Sequence, residues 1–338
     1  MLTISDLGGS SHEKVLRGVD TSTGLDAIIA IHSTALGPAL GGCRVMQYVD
    51  QEAHLMDALR LSKGMTYKNA VAGLEHGGGK TAINFEGKPT KEMLRSFGEF
   101  LNVVNQDKYI YRTAGDIGTG ARELKIINSV SPHCYYHEHA PDSGVSTAYG
   151  VYQSLKQVAN QTMPINIEGL GKVGSRLAHL ARRDGFKIRV ADIDRSYALD
   201  FANEHGYEFV ELRDIKMMNG VYAPCAIGGT LNDDFVMNSF AVAVCGGANN
   251  QCADPSIAQK LKDRGIEYVP DFVANAGGVI AIAMDDMGPL VGVDHPFVKT
   301  HLETIGEAVG DILLMSDQSG DSTEKVAIDL ADQRIRDQ

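Results

Sequence analysis

One stretch in the second half of the chain constrains the fold more than any other. A short, largely apolar run at 165–168 predicts a strand, and three glycines follow it at Gly169, Gly171 and Gly174. A helix with its apolar residues on one side begins within these glycines, and a second apolar run follows at 187–191. Because a helical crossover of this kind joins parallel strands, this order predicts a doubly wound α/β sheet.

The alternation of strands and helices extends along the chain. Further apolar runs that predict strands occur at 221–223, 241–244 and 268–269. The first part of the chain shows a strand pattern at 27–31, followed by helices that begin near Gln51 and Thr90. A length of 338 residues gives room for about two domains, and we place the boundary near residue 140.

The charge balance and the cysteines exclude several classes of protein. The chain carries 43 acidic and 31 basic residues, a formal net charge of −12, which disfavours nonspecific binding to nucleic acid or to an anionic membrane. No run approaches the roughly 18 uncharged apolar residues of a membrane span, and the first residues do not resemble a signal peptide. Five cysteines without a CxxC pair predict reduced thiols. We therefore expect a cytoplasmic protein.

The glycine turn, defined here as residues 169–174, matches the GxGxxG pattern of dinucleotide-binding proteins together with its context. It consists of Gly169, Leu170, Gly171, Lys172, Val173 and Gly174. The first glycine of this pattern allows a tight turn, the second lets the backbone approach a pyrophosphate, and the third lets helix and strand pack closely. The amino end of the helix offers N–H groups to the phosphates. An ordinary glycine turn of an α/β sheet is the alternative.

An acidic residue in the expected place supports the dinucleotide interpretation. Asp192 closes the next predicted strand, 18 residues after Gly174. An acidic side chain there accepts hydrogen bonds from the adenosine ribose and repels a 2′-phosphate, which favours NAD over NADP. Arg195 is close enough along the chain to weaken that preference. We expect NAD as the cofactor.

A second glycine-rich stretch, Gly77–Gly79 followed by Lys80, lies in the first predicted domain. Three successive glycines add nothing to a core and cost backbone entropy, so something other than core packing requires a bare main chain. A phosphate-binding P-loop is disfavoured, because its pattern needs a glycine where the chain has Leu74. Two interpretations of Lys80 stay open: a buried amine that loses its proton readily enough to act as a base, or a solvated lysine beside a flexible loop.

Eight runs spread over most of the chain carry a family resemblance. They lie at 36–44, 64–69, 77–80, 113–119, 147–150, 223–226, 249–251 and 275–278. In this order they resemble the Glu/Leu/Phe/Val family of amino-acid dehydrogenases and, among its branches, the leucine dehydrogenases most. The resemblance implies a substrate-binding and oligomerisation α/β domain (1–140 with 319–338) and a Rossmann-type NAD-binding domain (141–318), with the substrate in the cleft between them. It also implies a homo-oligomer that catalyses the NAD-dependent, reversible deamination of an L-amino acid to the 2-oxo acid and ammonium.

The resemblance assigns catalytic roles to three residues. Lys68 resembles the lysine that grips the substrate α-carboxylate. Lys80 resembles the lysine that activates water for attack on the iminium carbon, and Asp116 resembles the carboxylate that carries protons to and from the amino nitrogen. A lysine and an aspartate in a closed site can divide base and acid work in this way. The chain departs from leucine dehydrogenases at Gly115, where they usually carry a glutamate.

Other positions match substrate or cofactor contacts of the family. The substrate contacts would be Leu40, Gly41, Gly42, Met65, Lys68, Ala114, Val279 and Ile282. The cofactor contacts beyond the glycine turn and Asp192 would be Thr147, Cys225, Ala226 and Asn250. Leu40 and Ile282 are apolar where glutamate-specific members carry a lysine and a serine, so a substrate γ-carboxylate would lose its hydration without a partner. We expect a branched-chain aliphatic substrate, with phenylalanine as the alternative.

A non-catalytic NAD-binding protein and a metal-binding protein are the alternatives to a metal-free dehydrogenase. A protein that holds NAD without turnover is disfavoured, because Lys68, Lys80 and Asp116 are all present. A candidate metal cluster is formed by His133, Cys134, His137 and His139. Its spacing fits no common zinc pattern, so we expect no metal.

Overall fold

The chain forms two compact units, Met1–Ala140 with Ala331–Gln338, and Pro141–Leu330. The computed structural model describes residues 1–8, 11–136, 142–284 and 295–338. None of the helices in these ranges combines the length and the apolar character that crossing a lipid bilayer requires.

The C-terminal segment corrects one expectation, because residues 319–330 lie in the second unit and not in the first. The hydroxyl of Thr323 donates a hydrogen bond to the backbone carbonyl of Tyr268, which also belongs to the second unit. Only from Ala331 onward does the chain pack in the first unit, where Ala331 is buried with Ala70. The helical pattern of the tail does not reveal this division, since both parts are equally helical.

The first unit contains a mixed six-stranded sheet. Its strands are β1 (Thr3–Asp6), β2 (Lys14–Asp20), β3 (Leu25–Ser33), β4 (Ala39–Met46), β5 (Gly77–Asn84) and β6 (Tyr111–Gly115). Their order in the sheet is β1-β2-β3-β5-β4-β6. β4 pairs in parallel with both β5 and β6, whereas β5 pairs with β3 in antiparallel fashion. The carboxyl ends of β4, β5 and β6 therefore meet at one edge, the place where parallel strands present functional side chains.

Three helices lie wholly in the first unit. They are α1 (Gln51–Val71), α2 (Lys91–Val104) and α3 (Ala121–Asn128). α1 begins where Asp50 accepts a hydrogen bond from the N–H of Ala53, and α2 begins where Thr90 accepts one from the N–H of Met93. Both predicted helix starts are therefore confirmed. α2 buries its apolar side, Phe97 included, in the main core of the unit.

The glycine-rich stretch that ends in Lys80 is a strand and not a loop. It forms β5, which is buried except at its last residue and lies inside the sheet. The glycines are required because neighbouring backbone comes close: a Cβ atom at Gly78 would lie 2.1 Å from the backbone nitrogen of Thr66, and one at Gly77 would lie 2.0 Å from the carbonyl oxygen of Ser33. A P-loop and a flexible surface loop are both excluded at this position.

The second unit contains a six-stranded sheet in which every pairing is parallel. Its strands are β7 (Ile165–Glu168), β8 (Ile188–Ala191), β9 (Glu208–Phe209), β10 (Gly220–Pro224), β11 (Ala241–Val244) and β12 (Glu267–Tyr268). Their order is β12-β11-β10-β7-β8-β9, so the chain starts in the middle and fills first one side and then the other. The predicted doubly wound α/β sheet is confirmed.

Helices connect the strands of the second unit. They are α4 (Ser143–Val158), α5 (Gly174–Arg183), α6 (Arg195–His205), α7 (Leu212–Ile215), α8 (Asp233–Asn238), α9 (Ile257–Asp263), α10 (Asp271–Ala274), α11 (Gly277–Met284) and α12 (Pro296–Ser319). The last helix, α13 (Thr323–Arg336), contains residues of both units. The sequence pattern does not predict α6, α7, α8 or β9, because these elements are short or bury few apolar residues.

Candidate active site

Lys80 is a buried side chain of the first sheet, with 6% of its surface exposed. It lies on β5, and its amine donates a hydrogen bond to Oδ2 of Asp116. Asp116 follows β6 directly, so the pair spans β4, the strand between them. The interpretation of Lys80 as a solvated surface lysine is therefore wrong.

Gly42 on β4 makes room for this pair. It lies opposite Ala114 of β6 in the register of the sheet. A Cβ atom at Gly42 would lie 2.8 Å from Cβ of Asp116 and 3.3 Å from Nζ of Lys80. A larger residue would displace the carboxylate or the amine, so the absence of a side chain here allows their contact.

Helix α1 brings other predicted substrate contacts to the same strand. A Cβ atom at Gly41 would lie 3.4 Å from Cγ of Met65 on α1. The side-chain amide of Asn69 donates a hydrogen bond of 3.4 Å to the carbonyl oxygen of Leu40, whose side chain is buried. Lys68 is the neighbouring, half-buried residue in the last turn of α1. These residues belong to one region of the first unit.

The carboxylate of Asp116 is fixed by a tight turn. The backbone N–H of Ile117 donates to its Oδ1 at 2.8 Å, and the backbone N–H of Asp116 donates to Oγ1 of Thr119 at 3.0 Å. The hydroxyl of Thr119 in turn donates to the carbonyl oxygen of Cys43 on β4. The turn is thus attached to the strand across which Lys80 and Asp116 meet.

Arg44 is a charged neighbour that sequence reasoning missed. Its Nε lies 3.5 Å from Oδ2 of Asp116, and its Nη1 lies 3.2 Å from Oδ2 of Asp57. Asp57 also accepts hydrogen bonds from the hydroxyl of Tyr48 at 2.8 Å and from Arg60 at 2.9 Å. The available signal was a single charged residue within a run of apolar residues and glycines at 39–46. We call Lys80, Asp116 and Arg44 the charged cluster.

The charged cluster sets the ionisation of its carboxylate. Burial acts to raise the pKa of Asp116, but the positive charges of Lys80 and Arg44 outweigh it and hold that pKa below its ordinary value. Asp116 is therefore ionised near neutral pH and lies in hydrogen-bond contact with the amine of Lys80. Such a pair suits general acid–base chemistry.

In the second unit, the three glycines of the glycine turn occupy three different environments. Gly169 has a φ of 93°, a conformation that suits glycine. A Cβ atom at Gly174 would lie 1.9 Å from the carbonyl oxygen of Gly169, whereas one at Gly171 would have no atom within 4 Å. The tight turn, the open position and the close packing lie where the pattern predicts them.

The amino end of α5 is available to an anion. Val173, the residue at its N-cap, forms no side-chain hydrogen bond to the first turn. The partial positive charge of the helix end therefore stays available to a phosphate. Lys172 is exposed beside it, with Nζ 3.7 Å from the carboxylate of Asp142. The turn fits the pyrophosphate of a dinucleotide.

Two carboxylates lie beside the glycine turn. Asp192 follows β8, and its Oδ2 accepts a hydrogen bond of 2.7 Å from the backbone N–H of Leu170. Glu168, which ends β7, accepts a hydrogen bond of 2.7 Å from the hydroxyl of Tyr222. Burial raises the pKa of Glu168, although that hydrogen bond opposes the change. Sequence reasoning missed Glu168, whose signal was a charged residue that closes an apolar strand.

Of the other predicted cofactor contacts of the second unit, Cys225 and Ala226 lie at the glycine turn, and Asn250 lies beside Gly229. A Cβ atom at Gly169 would lie 2.7 Å from Cβ of Ala226, and the N–H of Cys225 donates to the carbonyl oxygen of Glu168 at 2.7 Å. These two predicted residues therefore contact the glycine turn or the strand before it. Asn250 is exposed and has a φ of 53°, and its carbonyl oxygen accepts a hydrogen bond of 2.8 Å from the backbone N–H of Gly229.

Three predicted residues lie around the start of α11. The hydroxyl of Thr147, on α4, would lie 2.8 Å from a Cβ atom at Gly278. Val279 and Ile282 follow on α11, the first buried and the second half-buried. The structure thus brings Thr147 to the helix that carries the two predicted substrate contacts of the second unit.

Two family models match the chain. That of the Glu/Leu/Phe/Val dehydrogenase dimerisation domain matches residues 12–132, and that of the glutamate, leucine, phenylalanine and valine dehydrogenases matches residues 197–326. The chain belongs to the Glu/Leu/Phe/Val dehydrogenase family. It is an amino-acid dehydrogenase, and this family implies a nicotinamide cofactor.

Individual relatives agree with this assignment. A valine dehydrogenase of Streptomyces albus is 38% identical over 98% of this chain and 93% of its own length. A leucine dehydrogenase of Geobacillus stearothermophilus is 36% identical over 96% of this chain and 90% of its own. Among solved structures, an L-tryptophan dehydrogenase from Nostoc punctiforme matches with a TM-score of 0.82 and 31% identity over 97% of this chain and 96% of that one. The predicted family and the two-domain α/β fold are confirmed.

Two of the four candidate metal residues, His133 and Cys134, lie in the described part of this dehydrogenase. His133 stacks on Tyr109 with 5.5 Å between ring centroids, and burial raises the pKa of the Cys134 thiol to about 12. His137 and His139 lie outside the described residues. Within the described part of the chain, no group of three or more His, Cys, Asp or Glu side chains is arranged to hold a metal ion.

Proposed function

We propose that this dehydrogenase catalyses the reversible, NAD-dependent oxidative deamination of a branched-chain aliphatic L-amino acid to the 2-oxo acid and ammonium. The observation that supports this most directly is the buried contact between Lys80 and Asp116 across Gly42. A base and an acid in contact, at the position where the family carries them, match the two proton transfers that deamination needs.

The residues of the first unit divide the work as follows. Lys68 binds the substrate α-carboxylate, and Asp116 accepts a proton from the substrate amino group. A bound nicotinamide cofactor would supply the hydride acceptor, so that loss of hydride from the substrate α-carbon leaves an iminium carbon there. Lys80, as the neutral amine, then takes a proton from water as the water oxygen bonds to that carbon, which gives a carbinolamine. Asp116 returns its proton to the nitrogen, the C–N bond breaks, and the hydroxyl proton of the carbinolamine passes to the departing ammonia, so that the 2-oxo acid and ammonium leave. Lys80 then releases its proton to solvent. Lys80 and Arg44 both favour the ionised form of Asp116, which can accept the first proton.

NAD fits the second unit better than NADP. Gly171 leaves the backbone open to a pyrophosphate, and Asp192 stands where a ribose hydroxyl would donate to it. A 2′-phosphate at the same place would face the carboxylate of Asp192, and the two negative charges would repel each other.

An aliphatic substrate fits the side chains assigned to the substrate. Leu40 has 1% of its surface exposed and offers no charge to a substrate carboxylate, and Ala114 on β6 is also buried and apolar. Burying an unpaired carboxylate costs several kcal/mol, so glutamate is disfavoured. The other two predicted contacts of the substrate side chain, Val279 and Ile282, are apolar as well. An aromatic substrate such as phenylalanine is the second candidate, because the L-tryptophan dehydrogenase is a structural relative above 30% identity.

We further propose a cytoplasmic homo-oligomer. The part of the chain at 12–132 matches a model described as a dimerisation domain. All five cysteines are unpaired thiols, which suits a reducing compartment. The partners of the enzyme are then small molecules and other copies of the same chain.

The test is a panel of kcat/KM values with NAD⁺ for leucine, valine, isoleucine, phenylalanine, tryptophan and glutamate, followed through NADH absorbance. We expect aliphatic substrates to be preferred over aromatic ones, and glutamate to be the poorest. A leading value for phenylalanine or tryptophan would support the aromatic candidate. NAD⁺ binding without NADH formation from any of these amino acids would overturn the proposal in favour of a non-catalytic NAD-binding protein.

A further inference from the structure

Arg195 is the cation that could admit a 2′-phosphate into the nucleotide site. It is the first residue of α6 and lies three positions after Asp192, at the carboxyl end of β8. In sheets of this type an acidic residue at that strand end selects the ribose of NAD, and an arginine nearby accommodates the extra phosphate of NADP. The sequence positions of Asp192 and Arg195 alone therefore do not decide between NAD and NADP.

In the structure, the guanidinium of Arg195 is paired with the carboxylate of Glu211. Its Nη2 and Nε lie 2.8 and 3.0 Å from Oε1 of Glu211, and its Nε lies 3.3 Å from Oε2. Its guanidinium also lies over the ring of Phe209, 5.2 Å from the ring centroid. Glu211 follows β9, the strand that pairs with β8, so the sheet topology places it beside the start of α6. The sequence pattern does not predict β9, so the sequence alone does not reveal that Glu211 is the partner of Arg195.

Two more carboxylates, Asp192 and Asp194, lie close to Arg195 along the chain. Asp192 accepts hydrogen bonds from the N–H groups of Leu170 and Asp194, and Asp194 caps α6 through the N–H of Tyr197. A 2′-phosphate carries between one and two negative charges near neutral pH. The ion pair with Glu211 offsets the positive charge that Arg195 would offer to this phosphate, and Asp192 adds a negative charge at the strand end beside it.

We propose that Glu211 is a cofactor-specificity residue that neutralises Arg195 and thereby rejects nucleotides with a 2′-phosphate. This inference rests on the proposed placement of the nucleotide at the glycine turn. The alternative is an ordinary surface ion pair: the side chains of Arg195 and Glu211 are 62% and 41% exposed, and such pairs contribute little to stability. The same exposure means that Glu211 can be changed without unfolding the protein.

The experiment compares ligands that differ by one phosphate. Binding of 5′-AMP, 2′,5′-ADP, NAD⁺ and NADP⁺ is measured by titration calorimetry at low ionic strength for wild type and for Glu211→Gln, which keeps the size of the side chain. We expect Glu211→Gln to bind 2′,5′-ADP and NADP⁺ about 5- to 10-fold more tightly. Affinity for 5′-AMP and NAD⁺ should change less than about twofold, because neither ligand reaches Arg195 with a phosphate.

Two further variants separate the effect of the Glu211–Arg195 pair from the effect of removing any negative charge near β9. Glu208→Gln removes one negative charge from β9, where Glu208 pairs with Arg189 at 3.1 Å, and should leave the ligand preference unchanged. In Glu211→Gln combined with Arg195→Ala, the gain for 2′,5′-ADP should disappear.

The outcomes distinguish the two proposals. An unchanged preference in Glu211→Gln, or an equal gain in Glu208→Gln, would overturn the role of Glu211 while leaving the nucleotide site intact. Failure of the wild-type protein to bind any of the four nucleotides would instead reject the nucleotide site itself, and the role of Glu211 with it.

Discussion

The charged cluster of the first unit and the glycine turn of the second are built in opposite ways. The cluster joins the buried Lys80 of β5 and the half-buried Arg44 of β4 to the half-buried Asp116, which lies in the turn after β6. The glycine turn offers backbone instead, from six consecutive residues, and its middle glycine has open space around it. Chemistry that moves protons needs charged groups that face each other, whereas binding a pyrophosphate needs N–H groups and room. One region therefore depends on tertiary contacts and the other on local geometry.

The largest effect that this comparison predicts comes from Lys80→Ala. Removing a general base costs about 10²- to 10⁴-fold in kcat, while NAD⁺ affinity should stay within about threefold, since Lys80 belongs to the other unit. Steady-state kinetics and calorimetric titration with NAD⁺ measure the two quantities. Lys88→Ala, at an exposed position, is the control for loss of a lysine. Wild-type turnover in Lys80→Ala would refute its role as a base.

A pair of glycine substitutions tests the backbone character of the glycine turn. Gly174→Ala places a methyl group 1.9 Å from the carbonyl oxygen of Gly169, so we expect a loss of about 2–3 kcal/mol in stability or more, together with loss of nucleotide binding. Gly171→Ala has open space and should keep the wild-type Tm while binding NAD⁺ about tenfold more weakly, because the methyl group occupies the place of the phosphate. Thermal unfolding and titration with NAD⁺ separate the two effects. Equal Tm losses in both variants would contradict the difference between these glycines.

The smallest effect concerns Arg44, which acts on the charged cluster through Asp116. Without its positive charge the pKa of Asp116 rises toward its ordinary value, so protonation on acidification begins at a higher pH. We expect Arg44→Gln to move the acidic limb of the kcat/KM profile up by about one pH unit, and Arg44→Lys to restore most of the shift. The matched control is Arg60→Gln, since Arg60 contacts Asp57 but is not paired with Asp116. A uniform loss of rate at every pH would mean that Arg44 has only a structural role.

The sequence and the structure agree best in the second unit. The alternation of short apolar runs with helices is a local signal, and it predicts β7, β8, β10 and β11 within one or two residues of their bounds. It fails at β9, which has two residues, and that failure concealed Glu211 beside Arg195. In the first unit the same reasoning left Lys80 between two interpretations, since a run of glycines gives no periodic signal for a strand.

The sequence by itself determined the family, the doubly wound sheet and the glycine turn, because each depends on residues that are close together in the chain or on motifs in a fixed order. Only the tertiary structure decided that Lys80 meets Asp116 across Gly42, that Arg44 joins them, and that α13 leaves the second unit at Leu330. These facts depend on which strands are neighbours in the sheet, and residues that are 36 positions apart, as Lys80 and Asp116 are, leave no mark of their contact in composition or periodicity.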